Sequence, residues 1–110
     1  MKLKACKTIW SQIRGLMFSR RKNLLFVFKK PKYVDLHMLF VFFPIDALYL
    51  NENFEIMDIK HMKPFYPLVY KAKHKSKYII ELTEEHKFNV GDKVDINNNE
   101  LQKSKNSCLL

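Results

Sequence analysis

The sequence contains no apolar run long enough to form a membrane-spanning helix, and this shortage excludes a helical membrane protein. The longest apolar stretch, residues 36–50, is interrupted by His37, Pro44 and Asp46 and falls short of the roughly 20 residues that a spanning helix needs. The opening residues also lack the apolar core of a signal peptide. We therefore expect a soluble, cytoplasmic protein without a membrane partner.

Cysteine is scarce as well. The two cysteines, Cys6 and Cys108, lie near opposite ends of the chain, so a disulfide between them is permitted but not required. The simplest interpretation is two free thiols.

Arginine is the third shortage, in a chain whose formal net charge is +9. Only three of the twenty cationic residues are Arg, the residue better suited to bidentate contacts with phosphates and bases. Basic residues cluster at 20–22, at 29–32 and, in alternation, at 71–77, where an extended backbone would point four lysines the same way. Because charge runs are usually solvated, a nucleic-acid-associated protein is the alternative function rather than the first. Its candidate residues are Arg20, Arg21, Lys22, Lys71, Lys73, Lys75 and Lys77.

The length and the apolar fraction favour one folded domain. A chain of 110 residues, of which 47% are hydrophobic, can bury one core but not two. The apolar pattern ends near residue 96, so we expect a single β-rich domain over residues 1–96 and a polar, disordered tail over residues 97–110.

The hydrophobic pattern predicts one helix followed by several short strands. Ile9, Ile13 and Leu16 recur at helical spacing and indicate a short amphipathic helix over residues 8–17. Six or seven short strands with one helix favour a mainly β fold, either a small antiparallel sandwich or a barrel. The predicted strands cover residues 2–6, 24–28, 36–43, 45–50, 54–59, 78–82 and 94–96.

Five segments, in their order and spacing, resemble a known family. They are RGLMF at residues 14–18, LLFVF at 24–28, PID at 44–46, YIIEL at 78–82 and VGDKV at 90–94. The ordered set resembles the small family called domain of unknown function 192, over residues 1–96. This resemblance implies a jelly-roll-like β-sandwich with one short helix and no established activity. Residues 39–41 are apolar in this chain, whereas the family usually has polar side chains at these positions. We therefore expect this chain to lack any role that those polar side chains have in the family.

Asp46 is a carboxylate within the most apolar segment of the chain. In an extended strand it shares a face with Leu48 and Leu50, whereas Ile45 and its alternate neighbours line the other face. Neither face is plainly polar, so we expect the carboxylate to be at least half covered and both faces of the strand to be packed. The helix over residues 8–17 is the favoured cover, and a second subunit is the alternative.

A covered carboxylate needs a cation, a proton or water, because burying it alone costs several kcal/mol. Arg14, in the predicted helix, is our first choice of partner. The two residues form either an internal ion pair or part of a polar pocket for a small anionic or hydroxylated ligand. The candidate ligand-binding residues are Arg14, Asp46 and His37.

Other chemistry has little support in the sequence. His37 and His61 each precede a methionine, but the spacing of these soft donors matches no known metal site. No serine or cysteine has the context of a nucleophile, so an enzyme is the least supported class. We expect no metal and no cofactor. The prediction is a small binding or accessory domain, a monomer or a weak homodimer, whose partner is an unidentified small molecule or protein.

Overall fold

Nine β-strands make up the secondary structure of the computed structural model, which describes residues 1–6, 22–38, 41–64 and 69–104. The prediction of a mainly β fold is confirmed. The predicted helix over residues 8–17 lies outside the described residues, and no helix occurs within them. The strands are β1 Lys4–Cys6, β2 Leu24–Lys32, β3 Leu36–His37, β4 Ile45–Leu50, β5 Ile56–Met62, β6 Val69–Tyr70, β7 Ser76–Leu82, β8 Val94–Asn97 and β9 Glu100–Lys103.

Five of these strands form a central sheet in the order β1-β2-β7-β4-β5. Strand β1 pairs in parallel with β2, and the other neighbours are antiparallel. Two-stranded sheets, β3-β6 and β8-β9, complete the described structure. The described sheets are open and do not close into a barrel, which was one of the two predicted architectures. In the part of the chain that the structure describes, no helix has the length and apolar character that crossing a bilayer requires.

The central sheet carries an apolar cluster on each face, as the composition of β4 predicts. Ile45, Ala47 and Tyr49 belong to one cluster, and the alternate residues Leu48 and Leu50 belong to the other. The side of Tyr49 will be called the first face, and the side of Leu48 the second face. Described residues pack on both faces of the sheet.

Different parts of the chain pack on the two faces of the sheet. Strand β3 and the segment after it pack on the first face through Leu36, Val41 and Phe43. The hairpin of β8 and β9 packs on the second face through Val94 and Leu101. Residues 36–43 were predicted as one strand, but among its described residues only Leu36 and His37 lie in a strand; Met38 and residues 41–43 have irregular backbone.

Strand β9 and the turn before it lie in residues 97–110, the segment that was expected to be a disordered tail. Asn97 pairs with Glu100, which leaves a two-residue turn of Asn98 and Asn99 with φ of 51° and 60°. Asparagine tolerates this left-handed conformation, and a two-residue turn with both φ values positive matches the twist of paired strands. Leu101 then lies in the core. Residues 105–110 lie outside the described residues.

Candidate functional site

A cleft of about 190 Å³ opens at the end of the central sheet where β4 begins and where β5 and β7 end. The strand register builds it, because Asp46 on β4 lies directly opposite His61 on β5 and Leu82 on β7. The chain that leaves β7 forms one wall. The residues that line this Asp46 cleft are Pro44, Ile45, Asp46, His61, Leu82, Thr83, Glu84 and Glu85.

Two imidazoles hold the Asp46 carboxylate. Its Oδ1 accepts a hydrogen bond from Nδ1 of His61 at 2.5 Å, and its Oδ2 accepts one from Nε2 of His86 at 2.5 Å. The Asp46 side chain is 25% exposed and that of His86 is 7% exposed, whereas that of His61 is 60% exposed. The expectation that Asp46 is at least half covered is confirmed. Its described partners are histidines; Arg14 lies outside the described residues.

The hydrogen bonds fix where each ring carries its proton. The backbone N–H of Phe88 donates to Nδ1 of His86 at 3.2 Å, so the proton of this ring is on Nε2, which donates to Asp46. His61 donates through Nδ1, so in its neutral form the lone pair is on Nε2. Proteins use this arrangement, a carboxylate behind an imidazole, to hold one tautomer and aim the second nitrogen at a ligand.

A buried amide positions the wall that follows β7. Asn23, which directly precedes β2, is 5% exposed. Its Oδ1 accepts hydrogen bonds from the backbone N–H of Thr83 at 2.9 Å and from the Thr83 hydroxyl at 3.2 Å. Its Nδ2 donates to the Glu84 carboxylate. Hydrogen bonds to Asn23 therefore hold this wall of the cleft next to the start of β2.

The charge of the Asp46 cleft is opposite to that of the chain. Among the described residues that line it, Asp46, Glu84 and Glu85 are acidic and none is lysine or arginine. A cleft lined in this way repels anions and favours groups that donate hydrogen bonds, such as hydroxyls. Of the two ligand types expected from the sequence, the described lining favours the hydroxylated one.

The other sequence-predicted residues lie elsewhere. The His37 backbone belongs to β3, which packs on the first face of the sheet, whereas Asp46 is on the second face. His37 does not line the Asp46 cleft. Arg20 and Arg21, like Arg14, lie outside the described residues, and Lys22 lies two residues before β2. Of the lysines at 71–77, only Lys77 lies in a strand, and the chain bends at residues 73 and 74. Alternation alone therefore does not place these lysines on one face.

The two histidines that bind Asp46 were not predicted from the sequence as its partners. His61 was considered only for metal binding, and the strand predicted over residues 54–59 stopped short of it. Strand β5 extends to Met62 and places His61 opposite Asp46. His86 is forty residues from Asp46 in sequence. No local pattern indicates that contact.

A second set of buried polar groups lies on the first face, away from the cleft. Glu81 on β7 is 5% exposed, and burial raises its pKa to about 7. Burial also raises the pKa of Tyr49 well above its ordinary value, and the charges of Tyr70, Asp58 and Glu81 add to this in that order. Within the described residues the Tyr49 hydroxyl has no hydrogen-bond partner. These groups are part of the core rather than of the cleft.

Comparison with known proteins assigns the family. Residues 1–96 match the family described as Uncharacterized ACR, domain of unknown function 192. The chain belongs to this family. A UPF0127 protein of Thermococcus sibiricus is 33% identical over 84 residues, which cover 73% of this chain and 53% of the relative. The chain thus matches about half of that protein's length, and the resemblance inferred from the five sequence segments is confirmed.

Two solved structures share the fold of this family member. A protein of unknown function from Novosphingobium aromaticivorans aligns with a TM-score of 0.66 and 18% identity, covering 74% of this chain and 61% of that one. A putative transcription regulator from Sinorhizobium meliloti aligns with a TM-score of 0.66 and 21% identity, covering 74% of this chain and 67% of that one. At these identities the likeness concerns the fold alone. The family has no established function, so the activity has to be argued from the site.

Proposed function

We propose that this family member is a binding domain whose ligand is a small hydroxylated molecule held in the Asp46 cleft. The observation that carries the proposal is the chain of hydrogen bonds from the Phe88 amide through His86 and Asp46 to His61. It leaves Nε2 of His61 as an oriented acceptor at the cleft. A ligand hydroxyl can donate to that nitrogen, and the acidic wall can accept further hydroxyl protons.

The size of the cleft limits the ligand. A volume of about 190 Å³ is smaller than the roughly 300–1,000 Å³ typical of sites for drug-sized molecules, so it suits a small metabolite. Pro44 is the exposed apolar residue of the lining, and the carbon skeleton of such a ligand can pack against it. A phosphorylated or carboxylated ligand is disfavoured because it would face Glu84 and Glu85.

Several finer features belong to the same proposal. Arg14 is proposed as a further contact of the ligand or of Asp46, from the short helix proposed over residues 8–17. We also propose a jelly-roll-like sandwich, a single domain over residues 1–96, and a cytoplasmic location. The last is supported by the scarcity of cysteine.

A thermal-shift screen tests the proposed function. The panel contains polyols and small sugars, each matched with its phosphorylated and carboxylated derivatives. Hits are then measured by calorimetry with His61→Phe, which removes the acceptor nitrogen, and with His74→Phe as the matched control, since His74 is an exposed histidine outside the cleft. The proposal requires a neutral hydroxylated ligand whose binding is lost in His61→Phe and retained in His74→Phe. Equal binding by both variants, or a preference for the anionic derivatives, would contradict it.

A further inference from the structure

Two basic segments that are distant in sequence lie side by side at the end of the sheet where β7 begins. Four contacts join residues 29–35 to residues 71–77 in antiparallel order. The Ala72 N–H donates to the Asp35 carboxylate at 2.9 Å, and Nζ of Lys75 lies 5.9 Å from the ring centroid of Tyr33. Lys32 pairs with Ser76, and Nζ of Lys77 donates to the carbonyl of Lys29 at 2.7 Å. The two segments therefore form one surface.

This surface concentrates positive charge. The two segments contain seven lysines and a single acidic residue, Asp35, whose carboxylate accepts the Ala72 amide proton. Within the described residues none of the seven lysines forms an ion pair, whereas Lys103, outside the surface, pairs with Asp92 at 3.1 Å. Unneutralised charges at this density repel one another, and a polyanion would relieve that repulsion. The lysines of this basic surface are Lys29, Lys30, Lys32, Lys71, Lys73, Lys75 and Lys77.

An exposed aromatic ring lies within the basic surface. Tyr33 is 63% exposed, the largest exposure among the described large hydrophobic residues that are exposed. Its ring lies beside the ammonium group of Lys75. An aromatic side chain among lysines is the combination by which proteins stack unpaired bases while they neutralise the neighbouring phosphates.

We propose that the basic surface binds single-stranded nucleic acid without sequence preference. The exposed ring of Tyr33 favours a strand with unstacked bases over an acidic polypeptide, which has no base to stack. The described surface has lysines but no arginine, so it supplies charge without the bidentate contacts that read base edges. The site is separate from the Asp46 cleft: β7 begins at Ser76 beside the basic surface and ends at Leu82 in the cleft, about 20 Å away along an extended strand.

Fluorescence anisotropy with a labelled single-stranded DNA of about 20 nucleotides tests this proposal. If about four phosphates are contacted, the affinity should fall about fiftyfold between about 25 and 100 mM salt, a slope near −3 in the double-logarithmic plot. The double variant Lys73→Gln/Lys75→Gln should flatten this slope by about 1.4. The matched control Lys2→Gln/Lys87→Gln removes the same charge from exposed positions outside the surface and should leave the slope unchanged.

The role of the ring is tested separately. Tyr33→Ala should weaken binding about tenfold, whereas Tyr33→Phe keeps the stacking surface and should bind like the wild type. Poly-glutamate of matched length serves as the competing polyanion. The proposal would be overturned by equal losses of affinity in the two lysine double variants, or by the absence of DNA binding at about 25 mM salt. It would also be overturned if poly-glutamate bound as tightly as DNA and Tyr33→Ala had no effect on DNA binding.

Discussion

Replacing Glu81 with Gln should make the protein more stable at neutral and alkaline pH but not at acidic pH. Glu81 is buried on the first face of the sheet, where desolvation raises its pKa from an ordinary 4.5 to about 7. Between pH 4.5 and about 7, Glu81 is therefore protonated in the folded protein but ionised in the unfolded chain. Its contribution to stability is fully present below pH 4.5 and is lost as the pH rises through 7.

The size of the effect follows from the two pKa values. A difference of one pKa unit is worth about 1.4 kcal/mol, so a rise from 4.5 to about 7 costs the folded state about 3 kcal/mol once Glu81 is ionised. Glutamine has nearly the shape of the protonated side chain and never ionises. The variant should therefore match the wild type near pH 4.5 and exceed its free energy of unfolding by up to about 3 kcal/mol near pH 8.

Urea unfolding monitored by circular dichroism across this pH range measures the difference. Glu52→Gln is the control, because Glu52 is exposed in the turn after β4 and its replacement should leave the pH dependence of the wild type unchanged. Parallel pH dependences of Glu81→Gln and the wild type would contradict a raised pKa of Glu81, since this side chain would then be ionised equally readily in the folded and unfolded states.

Three further outcomes are expected. Asp46→Ala should lower the free energy of unfolding by about 1–3 kcal/mol in denaturant titrations, because it leaves the buried N–H of His86 without an acceptor; an unchanged midpoint would contradict this. Long-range ¹H–¹⁵N spectra should show neutral His86 protonated on Nε2 and neutral His61 protonated on Nδ1, and Asp46→Ala should abolish the preference of His61 for the Nδ1-protonated tautomer. A wild-type His61 that favours the Nε2-protonated tautomer would be incompatible with Nε2 of His61 as the acceptor of a ligand hydroxyl. Asn99→Val should cost about 1–2 kcal/mol in thermal unfolding because φ at this position is positive, with Asn99→Gly close to neutral; equal stabilities would refute the turn geometry.

Strand β4 shows what the sequence could predict. Its bounds, Ile45–Leu50, are those expected, because Pro44 ends the preceding segment and a turn of polar residues follows Leu50. Its two apolar faces also implied that the sheet is covered on both sides. The bounds of β4 and the apolar character of its two faces depend on neighbouring residues in the sequence, so a short stretch of sequence is enough to predict them.

The partners of Asp46 show what the sequence could not predict. A covered carboxylate indicated that some donor must be near, but the choice of donor depends on strand register and on contacts across long sequence separations. The hairpin register faces His61 towards Asp46, and His86 approaches from the segment after β7. A shift of one residue in the register would have turned His61 to the other face of the sheet. Strand β9 was missed for another reason, since its segment contains mostly polar residues and only Leu101 marks it as buried.

The position of β7 between β2 and β4 governs the order in which the protein can fold. Glu81 pairs with Leu24 on one side and with Ala47 on the other, so among the described strands β7 alone joins the two halves of the central sheet, and it is synthesised after both of them. A nascent chain that ends before residue 76 has no strand to connect β2 with β4. Contacts across such sequence separations slow folding, because the loop-closure entropy is lost before the pairing is formed. We therefore expect sheet assembly to wait for β7, and fragments without it to expose the apolar strands β2 and β4 to aggregation.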